Sequence, residues 1–140
     1  GAVGEKLFAE FAIQAVAAND FSGVGFAITG YSRYVALGGN NFGYGYHCNG
    51  YAYLAGGLTN IGTTYTAGDF IGVGVDLSTG GIEFYKNGTL VHSATKTLLA
   101  DYGHTLRMSA QAIGFSVRLV TDPSQMTYPM PAGYSAWSFN

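Results

Sequence analysis

One cysteine, three prolines and one tryptophan are all that this 140-residue chain has of those types, and only 10% of its residues are charged. Each scarcity excludes something. A lone Cys48 cannot close an internal disulfide, so a disulfide-stapled secreted scaffold is out. Cys48 and the three histidines, His47, His92 and His104, show no His-x-x-x-His or Cys-x-x-Cys spacing, and no acidic calcium loop is present. The sequence therefore calls for no metal and no cofactor. Six basic against eight acidic side chains give a net charge of -2 with no basic stripe. Phosphate neutralisation has nothing to work with, which argues against nucleic acid and against an anionic membrane surface. Apolar runs break at Gly, Asp or Asn well short of the roughly 18 residues of a membrane-spanning helix, so membrane insertion is not expected.

What is abundant is glycine, 22 residues, and tyrosine, 11. Glycine serves turns and close backbone approach, and tyrosine joins apolar area to a hydrogen-bonding tip. Both suit a many-turned β protein, and both suit a binding surface. The length fits one domain over residues 1–140. The opening Gly1-Ala2-Val3-Gly4 lacks an initiator Met and reads as a domain cut from a longer protein, with Gly1 a vector scar.

Alternation with period two organises the chain. Leu7, Ala9, Phe11, Ile13 and Ala15 share one apolar face, although the Ala-rich segment would also tolerate a helix. Gly23–Ile28 and Tyr34–Leu37 read as short strands. Phe42–His47 and Tyr51–Leu54 flank Asn49-Gly50, a hairpin signal, and a further short strand is expected near Tyr65. Phe70–Leu77 is the clearest strand, with Ile71, Val73, Val75 and Leu77 on one face and Gly72 and Gly74 on the other. Ile82–Lys86 returns, and Asn87-Gly88 predicts a type I′ turn into Thr89–Ser93. Alternating runs follow at 106–112 and 115–119, then a tail that Pro123, Pro129 and Pro131 confine to an edge or loop. Turns at this spacing point to a sandwich or barrel.

Gly68-Asp69-Phe70-Ile71-Gly72-Val73-Gly74-Val75-Asp76-Leu77, followed by Ile82-Glu83-Phe84-Tyr85-Lys86-Asn87-Gly88, resembles the signature of the SPRY (B30.2-like) family. Lys6–Gln14, Gly23-Val24-Gly25-Phe26-Ala27 and Gly43-Tyr44-Gly45-Tyr46 extend the resemblance to roughly residues 5–120. It implies an all-β fold, a bent two-sheet antiparallel β-sandwich with concanavalin-like, jelly-roll-like architecture, and it makes the first segment a strand. It also implies recognition through loops at one end of the sandwich. Asp69 and Asp76 are expected to hold loops by accepting backbone N–H groups.

Catalytic readings are weaker. No Gly-x-Ser-x-Gly elbow is present, and His47 beside Cys48 would point to the opposite strand face. Paired carboxylates for glycosidic cleavage would have to come from Glu5, Glu10, Asp20, Asp69, Asp76, Glu83 and Asp101, which show no pairing signature. Gly43-x-Gly45 and Gly72-x-Gly74 lack a third glycine and a following helix. The chain is therefore read as a non-enzymatic binding module.

The expected ligand-binding residues are Tyr31, Ser32, Arg33, Tyr34, Tyr46, His47, Asn49 and Tyr51, with Arg33 foremost. The rings of Tyr34, Tyr46, Tyr51 and Tyr53 would stack on a sugar face or grip a peptide, and Arg33, His47 and Asn49 would supply directed hydrogen bonds. The low charge and the Ala/Gly/Thr-rich composition resemble bacteriophage or bacterial versions of the fold more than animal ones. The leading expectation is a tail- or virion-associated domain that recognises a host surface glycan or protein. A trimer assembled through the parent protein is a compatible arrangement. Two alternatives stand beside it: a cytoplasmic adaptor that captures protein or peptide, and a carbohydrate-active enzyme or its lectin-like accessory domain.

Overall fold

The computed structural model describes residues 6–16, 23–28, 43–54, 57–77, 79–95, 104–108 and 114–137. Their strands are β1 (Lys6–Ala15), β2 (Gly23–Ile28), β3 (Gly43–His47), β4 (Tyr51–Leu54), β5 (Gly57–Asn60), β6 (Phe70–Asp76), β7 (Gly81–Lys86), β8 (Thr89–Thr95), β9 (His104–Met108), β10 (Ser116–Val120) and β11 (Ser135–Ala136). A single 3-10 turn, Pro123–Gln125, is the only helical element among the described residues. The first segment is thus a strand, as the resemblance implied, and its alanines do not make a helix. Among the described residues no helix is long and apolar enough to cross a membrane.

Two sheets result. The first runs β10-β1-β6-β7-β8, with β11 also paired to β1, and the second runs β5-β4-β3-β2-β9. All pairings are antiparallel except β1 with β11, so the expected two-sheet antiparallel sandwich is what forms. Alternation decides the inward faces. Leu7, Ala9, Phe11 and Ile13 of β1, Ile71, Val73 and Val75 of β6, and Ile82 and Phe84 of β7 meet Val24, Phe26, Tyr44, Tyr46, Ala52 and Leu54 of the other sheet. Aromatic contacts knit the middle: Phe26 stacks on Tyr44 at 4.8 Å between centroids, and Tyr46 lies 5.7 Å from Phe84.

Strand β1 is buried on both faces from Leu7 to Ile13, more than a one-sided pattern calls for. The cause is the tail. Residues 121–137 run as a strap over the outer face of the first sheet, so the prolines mark a covering segment as well as an edge. The buried Glu10 carboxylate, 3% exposed, accepts N–H bonds from Thr127 at 2.9 Å and Tyr128 at 3.2 Å. The strap ends with Trp137, whose N–H donates to Phe8 O at 2.9 Å while its ring enters the core 5.7 Å from Phe26. Gly72 and Gly74 make room for this cover. A Cβ there would come within 2.5 Å of the Phe8 ring or 2.7 Å of the Tyr134 ring.

The turns follow local chemistry. Asn87 at φ 50° and Gly88 at φ 82° form the expected two-residue connection with left-handed backbone. Asn49-Gly50 behaves differently. Only Gly50 takes positive φ, at 90°, so β3 and β4 are joined by the three residues 48–50 and not by a type I′ pair. The strand expected near Tyr65 lies earlier, at Gly57–Asn60. Tyr65 itself sits in irregular chain, buried, with its hydroxyl donating to Tyr46 O at 2.9 Å. The expected strand at Tyr34–Leu37 lies outside the described residues.

Candidate functional site

The signature residues build a clasp. Asp69 accepts the Thr66 N–H at 2.9 Å and the Asn87 side-chain amide at 3.0 Å, while Asn87 Oδ1 accepts the Phe70 N–H at 2.9 Å. Lys86 donates to Thr64 O at 2.8 Å and stands 3.9 Å from the Asp69 carboxylate. The loop before β6 is thereby tied to the β7–β8 turn. Burial acts to raise the Asp69 pKa, but the Thr66 N–H, the Asn87 amide and the Lys86 charge together hold it below the usual value. Stabilisation from this group is therefore complete above an unfolded-chain pKa of about 3.9 and is lost as pH falls through the lower folded value. Asp69→Asn is expected to cost about 1–3 kcal/mol at pH 7, with the gap to the parent protein narrowing as pH falls below the unfolded-chain value of about 3.9. Urea unfolding across that range checks it, and a gap independent of pH would contradict it.

Other carboxylates named in the sequence have structural partners too. Glu10 holds the strap. Glu83 Oε1 accepts the hydroxyls of Tyr85, at 3.1 Å, and of Tyr134. Burial, then the hydrogen bond to Glu83 and its charge, push the Tyr85 pKa up to about 12, and the same causes raise Tyr134 further, so both phenols stay protonated donors. Among the described residues no group of three or more His, Cys, Asp or Glu side chains is placed to hold a metal ion. Glu5, Asp20 and Asp101 lie outside the described residues, as do Tyr31, Ser32, Arg33 and Tyr34 of the expected binding loop.

The remaining expected residues divide sharply. Tyr46 and His47 are fully buried, which places them in the body of the sandwich and not on its rim. Tyr46 faces the other sheet and donates its hydroxyl to Thr63 O; burial and the Asp69 charge raise its pKa to about 12. His47 lies on the opposite side of β3, where its ring meets the Tyr53 ring at 4.5 Å and closes against Gly23. Asn49 and Tyr51 stay at the half-exposed hairpin end, with Asn49 Oδ1 accepting the Tyr51 N–H at 3.2 Å.

The sequence reading did not place Leu58 and Asn60 beside them. Tyr51 pairs across β4–β5 with Asn60, and Tyr53 pairs with Leu58. Because Ala52 and Leu54 face the core, Tyr51, Tyr53, Leu58 and Asn60 share the outer face of the second sheet. Leu58 is 58% exposed, and both tyrosines are half-exposed. His47 supports Tyr53 from below. Tyr51 and Tyr53 are already among the expected stacking rings, and alternation in Tyr51-Ala52-Tyr53-Leu54 puts them on one face, but Leu58 needed the β5 register. Among the described residues β5 ends its sheet, so the patch also borders a strand edge.

A search of curated proteins finds no match to the chain. The SPRY domain family matches over residues 10–115, which take in the second half of β1, strands β2 to β9 and the whole Asp69–Asn87 clasp. SPRY domains generally mediate protein–protein interaction, and a two-sheet sandwich with an outward aromatic patch is consistent with a binding module. On that match, and on the sandwich that accompanies it, the chain belongs to the SPRY domain family.

Proposed function

We propose that this SPRY domain is a non-catalytic recognition module carried on a bacteriophage tail or virion, where it grips a protein on the host surface. The observation that carries the gripping role is the row of Tyr51, Tyr53 and Leu58, held outward on rigid strands beside the Asn49 loop. Tyrosines of this kind provide large contact area with little rotamer entropy to lose. The carboxylates Glu10, Asp69 and Glu83 serve the fold's own hydrogen bonds, which favours binding over catalysis. The low charge and the Ala/Gly/Thr-rich composition support the phage setting.

The test is adhesion of the purified domain to a panel of bacterial cells, before and after protease treatment of the cells, beside a glycan array. Protease-sensitive adhesion is expected. The double variant Tyr53→Ser, Leu58→Asp should weaken it by at least tenfold, because hot-spot side chains contribute about 2 kcal/mol or more each, and its melting temperature should stay near that of the parent. Arg33→Ala probes the expected loop in the same assay. Adhesion unchanged in the double variant would remove the patch from the reading. Capture of linear peptides without cell adhesion would replace the phage role by an adaptor. Polysaccharide turnover lost on Glu or Asp substitution would replace binding by catalysis.

A further inference from the structure

On the opposite side of the sandwich, the outer face of the first sheet holds an open cleft of about 260 Å3. Its polar lining includes Lys6 of β1, Asp76 of β6, Glu83 of β7, Ser93 and Thr95 of β8, and Tyr134 of the strap. The volume falls below the roughly 300–1,000 Å3 of pockets for drug-sized ligands, so it has room for one small ring. Glu83 is already oriented. Two tyrosine hydroxyls converge on its Oε1, and among the described residues no hydrogen bond engages Oε2. Lys6 is placed with its ammonium 4.5 Å from the centre of the Tyr134 ring.

The charges select the ligand. An anion entering the cleft meets Asp76 and Glu83, and a cation shares it with Lys6, so a ligand of either sign finds a like charge in the lining. A neutral ligand with many hydroxyls meets neither penalty. Its O–H groups can donate to the carboxylates, and its oxygens can accept from Lys6, Ser93 and Thr95. Because β1, β6, β7 and β8 are consecutive neighbours in one sheet, these groups sit on rigid supports. We propose that this cleft binds a single ring of a neutral sugar, separately from the tyrosine patch on the other sheet.

Chemical-shift titration of the domain with the methyl glycosides of glucose, galactose, mannose and N-acetylglucosamine tests this. At least one should give saturable shifts at millimolar concentration, centred on Lys6, Asp76, Glu83 and Ser93–Thr95. Ser93→Tyr fills the cleft from an exposed position without touching a buried hydrogen bond. It should weaken that glycoside at least tenfold with the melting temperature unchanged, and Glu83→Gln should weaken it as well. The Tyr53→Ser, Leu58→Asp variant should bind the glycoside like the parent, so the cleft and the partner patch stand or fall apart. No saturable shift with any of the four, shifts centred on Tyr51 and Tyr53, an unaffected Ser93→Tyr variant, or tighter binding of methylammonium or acetate would each overturn the proposal.

Discussion

Alanine at position 25 is expected to abolish the native fold. Gly25 pairs with Gly45 in β2–β3, in the middle of the second sheet, and a Cβ at Gly25 would lie 1.9 Å from the Tyr44 carbonyl oxygen. That neighbour is backbone and cannot swing away. Relief requires β2 and β3 to separate, which would disturb the Phe26–Tyr44 stack and the contact of Phe26 with Trp137. Total stability of a domain is about 5–15 kcal/mol, and a clash of this kind belongs to the rare substitutions that cost more than about 4. Gly72→Ala makes the useful contrast. Its Cβ meets the far end of the Phe8 ring at 2.5 Å, and a ring can shift into the strap side at a cost of about 1–3 kcal/mol. Near-ultraviolet circular dichroism and thermal melts should show Gly72→Ala folded with a lowered midpoint and Gly25→Ala without a cooperative transition. A folded Gly25→Ala would mean that the strands are not spaced this way.

Glu10→Gln is expected to release the strap. The carboxylate is buried and receives two backbone N–H groups, one on each oxygen. An amide keeps one acceptor and turns its NH2 toward the second donor, so one charge-assisted bond is lost and one buried N–H is left facing another. The expected cost is about 2–4 kcal/mol, and the melting point of a domain this size should fall by roughly 10 °C. A local readout separates this from general loosening. In hydrogen exchange, Thr127 and Tyr128 amides should lose protection first, ahead of β6 and β7. Equal loss of protection throughout, or none at Thr127 and Tyr128, would sink the assignment.

Much of the first sheet could be read from residues alone. Ile71, Val73 and Val75 against Gly72 and Gly74 gave the face of β6, and Asn87-Gly88 fixed the turn after β7, because both signals are local. The strap was harder. Pro123, Pro129 and Pro131 say where the tail cannot pair, but nothing in them says what it covers. Glu10 was one carboxylate among several without a pairing signature, because its two donors lie more than a hundred residues away. The site suffered from the same limit. Period two shows that Tyr46 and His47 face opposite ways, yet it cannot show that both sides are covered there. Asn49 and Tyr51 stayed at the accessible hairpin end because the turn that exposes them is written in Asn49-Gly50. The Leu58 neighbour of Tyr53 and the cleft on the first sheet depend on register between strands, which composition and alternation do not encode.

Strand β1 has consequences for how the protein is made. Its neighbours are β6 at residues 70–76, β10 at 116–120 and β11 at 135–136, and Trp137 caps the bond network at Phe8. Loops of this length are slow to close, so folding should be slow for the chain's size. Of the described strands, the first to be synthesised is also the one that waits for the latest residues. A C-terminal extension long enough to occupy the ribosomal tunnel would let the core close while the chain is still tethered, and without one closure would begin only on release.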